Sequence, residues 1–210
     1  MESESKRGMK TSDTSPINWD KIYDNKIHRD IKSSSFRKYL LYIHYTSMQP
    51  RLIDFILKVC PRKHSILEAG CGAGRVVFKL SHHATSSFII GIDFSSTACI
   101  HAKEQSKKYS YTFNTDFVIG DIRSLPFKAS SFDFVLSLGV IEHFKNPNLL
   151  LAEMKRVLKN QGKLFLETPN RKMFKLSPFR IKERIKLYGH HDFYTPLELA
   201  NLVRKIGFHI

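Results

Sequence analysis

After Pro61 the chain falls into an alternation that leaves few folds open. Short apolar runs, "SILEAG" (65–70), "SFIIGID" (87–93), "DFVIGD" (116–121), "FDFVLSLG" (132–139) and "GKLFLETP" (162–169), alternate with stretches of helical spacing at 74–82, 95–108 and 147–159, and a further such stretch follows at 196–206. The runs at 88–92 and 132–138 are apolar on nearly consecutive residues, the pattern of parallel strands covered on both faces. This alternation predicts an α/β fold, a doubly wound and mostly parallel sheet with right-handed crossovers.

Ligands of such a sheet bind beyond the carboxyl ends of the strands, near the point where strand order reverses. The first predicted strand ends there in "EAGCGAGR", with Gly70, Gly72 and Gly74 at every second position before a helical stretch. A bare backbone at that place lets a ligand lie close to the chain and to the helix N-terminus. A dinucleotide fingerprint would need a small third residue at Arg75, and a phosphate-cradling loop would need a Lys-Ser or Lys-Thr pair that is absent. The spacing is instead Glu68, Gly70, Gly72, Gly74.

That stretch resembles the first motif of the class I S-adenosylmethionine-dependent methyltransferases, and other motifs follow in the same order. "IIGIDFS" (89–95), "VIGDIRSLPF" (118–127) and "FDFVLSLGVIEHF" (132–144) look like the family's next three, and "LLLAEMKRVLKNQGKLFLETPN" (149–170) like its following helix and strand. "WDKIYDNK" (19–26) and "HHDFYTPLELANLVRKIGF" (190–208) resemble the branch containing ubiquinone- and menaquinone-biosynthesis methyltransferases. The resemblance implies a Rossmann-like methyltransferase fold and S-adenosyl-L-methionine as cofactor. It implies cofactor contacts from Glu68, Gly70, Gly72 and Gly74, from Asp93 and Phe94 after the second strand, from Asp121 and Ile122 after the third, and from Ser137 and Leu138 at the end of the fourth. Asp93 would hold the ribose hydroxyls and Asp121 the adenine amino group, roles that suit a carboxylate with two acceptor oxygens. Glu68 would brace the loop or approach the methionine amine, and Asp93 would also serve as an acid at the N-terminus of the next helix, which Ser95 or Ser96 would also cap. Asp133 reads as opening a strand rather than touching ligand.

His143 follows the fourth strand and is the candidate catalytic residue, either as a general base for a hydroxyl acceptor or as a hydrogen-bonded structural histidine. Glu142 and His143 with His190 or His191 partly resemble the metal site of small-RNA 3′-end methyltransferases. The acid expected three residues before the Glu is Gly139 here, so no metal is expected.

The domain expectations are a flexible tail over 1–15, N-terminal cap helices over 16–60 and the cofactor-binding domain over 61–210. That domain is read as C-terminally incomplete, because "GFHI" reads as the start of a sixth strand and the family's last strand is absent. Three cysteines without disulfide or zinc spacing, and no signal-like or membrane-length apolar run, point to a cytoplasmic protein. Thirty-four Lys and Arg against 19 Asp and Glu give a formal charge of +15. Segment 171–191 is strongly basic, with apolar residues at helical spacing. It reads as a solvated insert or as a patch for an anionic membrane surface or nucleic acid. The expected acceptor is a small or lipid-like molecule methylated at oxygen or carbon, and no obligate protein partner is expected. The alternatives are an RNA or polyanion methyltransferase and a non-catalytic cofactor-binding protein.

Overall fold

A computed structural model of the chain describes residues 64–83, 87–108, 114–174 and 192–210, the segment 54–59, and positions 18, 20, 21 and 23. Most of the expected cap helices and of the basic segment 171–191 lie outside the described residues, as do the tail and Cys60.

Five strands form one sheet: β1 (Ser65–Ala69), β2 (Phe88–Asp93), β3 (Thr115–Ile119), β4 (Phe132–Leu138) and β5 (Leu158–Glu167). Their spatial order is β3-β2-β1-β4-β5, and every pairing is parallel. The chain therefore winds outward from β1 to β3, then returns to the other side of β1 as β4. The split between β1 and β4 is where a doubly wound sheet opens its ligand crevice.

Alternation along β1 shows that both faces are covered. Ile66 packs with Val77, Leu80, Ile89 and Phe134, whereas the adjacent Leu67 packs with Ile92, Val135, Leu151 and Met154. On the first face lie α1 (Arg75–His83) and the helical segment 54–59, whose Ile56 is fully buried. Ala102 of α2 (Ser96–Lys108) joins the same cluster. The second face carries α3 (Asn148–Val157), and after the short α4 (Arg171–Phe174) comes α5 (Pro196–Lys205), which adds Val203 to that core. Burying a Leu or Ile from water is worth roughly 1.5–3 kcal/mol, so these two layers supply most of what holds the sheet. Asp133, at the start of β4, accepts hydrogen bonds from the backbone N–H and hydroxyl of Ser65, both at 2.8 Å, and from Lys159 at 3.0 Å. It ties the amino ends of β1, β4 and β5 together, away from the glycine loop.

Two boundaries differ from the sequence reading. β5 begins at Leu158, directly on the end of α3, but its register with β4 shifts between Phe132↔Leu158 and Phe134↔Lys163. The irregularity is the turn around Gln161, at φ +64°, and Gly162. At the carboxyl end, "GFHI" does not extend the sheet among the described residues. Gly207 takes φ +86°, and the amide of Phe208 bonds back to the Val203 carbonyl at 3.2 Å, which closes α5 instead of opening a strand.

Candidate active site at the carboxyl ends of the strands

Because all five strands run the same way, the loops carrying the expected site residues gather at one edge of the sheet. The amides of Gly70 and Cys71 both donate to the Ile92 carbonyl, at 2.8 and 3.0 Å, fastening the glycine loop to β2. Gly70 and Gly72 have φ of +84° and +52°, a region that costs other residues about 1–2 kcal/mol. Space is equally tight: a Cβ on Gly70 would run into the Val140 side chain, and one on Gly72 into the Tyr23 hydroxyl.

Asp93 is the hinge of this edge. It is 9% exposed; its Oδ2 accepts the Gly72 amide at 2.7 Å, and its Oδ1 accepts the Ser95 amide at 2.9 Å. One carboxylate thus joins the loop after β1 to the start of α2. Burial raises its pKa above the ordinary carboxylate range and the neighbouring Asp20 carboxylate adds to the rise, against the lowering effect of the backbone N–H donors. Ser95 caps α2 by accepting the Ala98 amide at 3.1 Å, so the cap expected near Asp93 is present.

Glu68 lies under the loop, 4% exposed, and its Oε2 accepts the Val77 amide at 3.2 Å. That amide is one of the donors a helix leaves unsatisfied in its first turn. Burial pushes the Glu68 carboxyl up to about 8, opposed by the Val77 amide and by the Arg75 charge. The contact displayed is the bracing one.

After β3, Asp121 is closed off by a partner. Its Oδ1 accepts the Arg123 amide at 2.8 Å, and the Arg123 guanidinium reaches both oxygens, with Nη2 at 2.6 Å from Oδ2. Burial alone would raise the Asp121 pKa, but Arg123 outweighs it and holds the carboxyl below its usual value. Ile122 beside it is 5% exposed, while Phe94, across the β2–β3 ends, is 44% exposed. The loop after Asp121 is held from behind: Glu153 accepts the Leu125 amide at 2.7 Å, and Arg156 donates to the carbonyls of Leu125 and Phe127.

At the end of β4, Ser137 is fully buried, and its hydroxyl has no hydrogen-bond partner among the described residues. Leu138 is half-buried beside it, and the chain then turns at Gly139, φ +69°. His143 ends the short 3₁₀ turn Ile141–His143, half-buried, with its amide on the Val140 carbonyl at 3.0 Å. The preceding Glu142 is 2% exposed; its Oε2 accepts the Thr168 hydroxyl at 3.1 Å, and its carbonyl accepts the Asp192 amide at 2.7 Å. Beside it, burial together with the Asp192 and Glu142 charges pushes the Tyr194 hydroxyl up to about 12. Among the described residues no group of three or more His, Cys, Asp or Glu side chains could hold a metal, and His190 and His191 lie outside them.

Three further residues contribute to this edge. Asp20 accepts the Ser95 hydroxyl at 2.7 Å and the Thr97 amide at 3.0 Å, adding a second cap to α2. Burial would raise its pKa, but these donors outweigh it and hold the carboxyl low. Tyr23 lays its hydroxyl against Gly72. Neither contact is marked by a local pattern, because the Asp20 bond to Thr97 reaches across 77 positions of chain and the Tyr23 contact joins residues 23 and 72. Arg123 carried a signal, a cation two residues from an expected ligand acid.

Comparison with known proteins agrees with this architecture. A family model described as a methyltransferase domain matches residues 67–166. A Thermotoga maritima protein named demethylmenaquinone methyltransferase is 28% identical over 186 residues, 79% of this chain and 78% of the relative. A Bartonella quintana protein named ubiquinone biosynthesis O-methyltransferase is 29% identical over 151 residues, 67% of this chain, and the match spans only 58% of the relative. Among solved structures, a SAM-dependent methyltransferase from Thermotoga maritima superposes with a TM-score of 0.64 at 22% identity, covering 91% of this chain and 81% of that one. A Bacillus subtilis protein gives a TM-score of 0.64 at 23% identity over 75% of this chain and 66% of its own, and these two likenesses speak to the fold. The ordered motifs, the β3-β2-β1-β4-β5 sheet and the family match over 67–166 together show that this chain carries a methyltransferase domain of Rossmann-like fold.

Proposed function

We propose that the chain transfers a methyl group from S-adenosylmethionine to the oxygen or carbon of a small or lipid-like acceptor. The observation that carries the reading is Asp93, a buried carboxylate that pins the glycine loop through the Gly72 amide at the β1 edge of the crevice. The residues present fit the cofactor. A rim of bare backbone, an exposed Phe94 for a purine face, and a Ser137 hydroxyl without a partner among the described residues offer what a nucleoside with a polar tail requires. The names of the quinone-pathway relatives support a small, partly apolar acceptor.

When bound, S-adenosylmethionine supplies a methyl group on a positively charged sulfur, an electrophile that needs neither metal nor covalent enzyme intermediate. The chain's part is then positional. Glu68 and Asp93 hold the loop rigid through the Val77 and Gly72 amides, and the buried end of β4 excludes water from the line of transfer. Asp121 would offer its carboxylate to the adenine amino group, sharing it with Arg123. His143, on the turn after β4, would take the proton of a hydroxyl acceptor as that oxygen attacks.

The test is calorimetric titration of the full chain with S-adenosylmethionine and S-adenosylhomocysteine, followed by transfer of labelled methyl to quinol-like phenols, lipid extracts and RNA. Expected are saturable binding, at least tenfold weaker in Asp93→Asn, and label on a small-molecule or lipid acceptor. His143→Asn is expected to lower kcat while leaving cofactor Kd within about twofold. A folded chain without cofactor binding overturns the proposal. Label on RNA alone, together with steeply salt-dependent RNA binding, would transfer the assignment to the polyanion reading that the +15 charge motivates.

A further inference from the structure

The glycine loop has a neighbour that comes from well before β1. Positions 20, 21 and 23 are helical, and Asn18 opens this turn by accepting the Lys21 amide at 2.9 Å. Asp20 and Tyr23, three positions apart, fall on the same side of such a turn. The Asp20 carboxylate gathers donors from three successive residues at the start of α2: the Ser95 hydroxyl at 2.7 Å, the Ser96 hydroxyl at 3.3 Å and the Thr97 amide at 3.0 Å. These are hydrogen bonds to an anion at the positive end of a 13-residue helix, which strengthens each of them. Tyr23 meanwhile sets its hydroxyl on Gly72, in the space a Cβ would fill. The bareness of Gly72 is thus used by the protein's own side chain.

The contacts close a ring. Ser95, fully buried, gives its hydroxyl to Asp20 and its amide to Asp93 at 2.9 Å. Asp93 takes the Gly72 amide at 2.7 Å, Gly72 lies against Tyr23, and one helical turn leads back to Asp20. A shift of the 18–23 turn is therefore felt at the loop and at its carboxylate together. We propose that this turn is a strap that docks after the cofactor has met the glycine loop and then retains it; the proposal rests on the cofactor reading above. Asp20 is the positioning residue that fastens the strap to α2, and Tyr23 is the wall it places beside Gly72. Release then waits on the strap lifting from α2, whereas association does not, so a weakened clasp acts on the release rate.

The experiment reads association and release of S-adenosylhomocysteine by surface plasmon resonance on the full chain, for wild type, Asp20→Ala, Tyr23→Ala and the double variant. Each single variant is expected to speed release at least fivefold and to leave association within twofold. The double variant is expected to release no more than twice as fast as the faster single one, because the two residues act as one unit. Trypsin supplies a second readout, since the exposed Lys21 lies between them. Cleavage after Lys21, mapped by mass spectrometry, is expected to slow at least fivefold when wild type is saturated with S-adenosylhomocysteine, and to show no such protection in saturated Asp20→Ala. Unchanged release or faster association in the single variants, multiplied effects in the double variant, or cleavage after Lys21 that ignores bound ligand overturns the proposal. If Asp20→Ala does not fold, Tyr23→Ala carries the same release criterion. A folded wild-type chain that binds no S-adenosylhomocysteine defeats the function proposed above and the strap with it, whereas binding whose release is the same in every variant defeats the strap alone.

Discussion

Glu68 offers the sharpest perturbation, because its burial sets a sign that a merely charged loop residue would not show. The carboxyl is 4% exposed, meets one amide donor at 3.2 Å, and has its pKa pushed from 4.5 to about 8 by loss of solvent. The folded chain therefore keeps this proton over a pH range in which the unfolded chain has released it. The stability that comes from holding a neutral Glu68 is fully present below 4.5 and is lost as pH rises through about 8. At ~1.4 kcal/mol for each pH unit between those values, the loss is bounded at roughly 5 kcal/mol, and local relaxation brings the expected figure to about 2–4 kcal/mol. Glu68→Gln keeps an acceptor for the Val77 amide and cannot ionise. In urea denaturation at pH 5.5 and pH 8.5, a range that brackets all but the first pH unit of that window, the wild-type chain is expected to lose about 1–3 kcal/mol relative to Glu68→Gln, since the other titrating groups cancel in the difference. Parallel stability curves for the two chains would refute the reasoning. The same proton reports on ligand: a cation arriving beside Glu68 lowers its pKa, so cofactor binding at pH 7 would release protons. Titrations in buffers of different ionisation heat read that release, and its absence would confine Glu68 to bracing α1.

Gly72→Ala combines an unfavourable φ with a collision against the Tyr23 hydroxyl, and is expected to weaken cofactor binding at least tenfold by calorimetry while the sheet still folds by circular dichroism. Asp133→Asn removes an anion whose burial cost is outweighed by the Ser65 donors and Lys159, which hold its pKa down to about 2. The side chain is 26% exposed and screened by water, so the expected destabilisation at pH 7 is about 1–2 kcal/mol. That gap from wild type is present above the unfolded value of 3.8 and closes as pH falls through about 2, and acid-titrated urea curves would show it. Arg123→Ala removes the guanidinium from both Asp121 oxygens and leaves only the backbone amide of position 123 on Oδ1; affinity for S-adenosylmethionine is expected to change by at least threefold while affinity for an analogue lacking the adenine amino group does not, and equal shifts for both would remove Asp121 from adenine recognition.

What the chain disclosed in advance divides by how far each interaction reaches. The strands were legible because both faces of the sheet are covered: Ile66 and Leu67 enter opposite cores, so nearly every residue of a central strand must be apolar and the run stands out. The glycine loop was legible for the related reason that φ values of +84° and +52° exclude side chains at fixed spacing. An acid at position 68 between apolar neighbours announced itself, since a buried carboxyl calls for a specific partner, and the Val77 amide is one, although burial still outweighs it. The reading thinned wherever a side chain works across the fold. Asp20 caps a helix that begins 76 residues later, Tyr23 fills the space over Gly72, and Asp133 closes three strand ends at once. Each is an ordinary polar residue in its own neighbourhood and becomes distinctive only once the sheet order is known. Asp121 shows the intermediate case: its position after β3 was legible, but its occupation by Arg123 depended on a rotamer that composition does not encode. A residue whose role is imposed by backbone geometry can be found from sequence, whereas one whose role is chosen by a tertiary partner must wait for the fold.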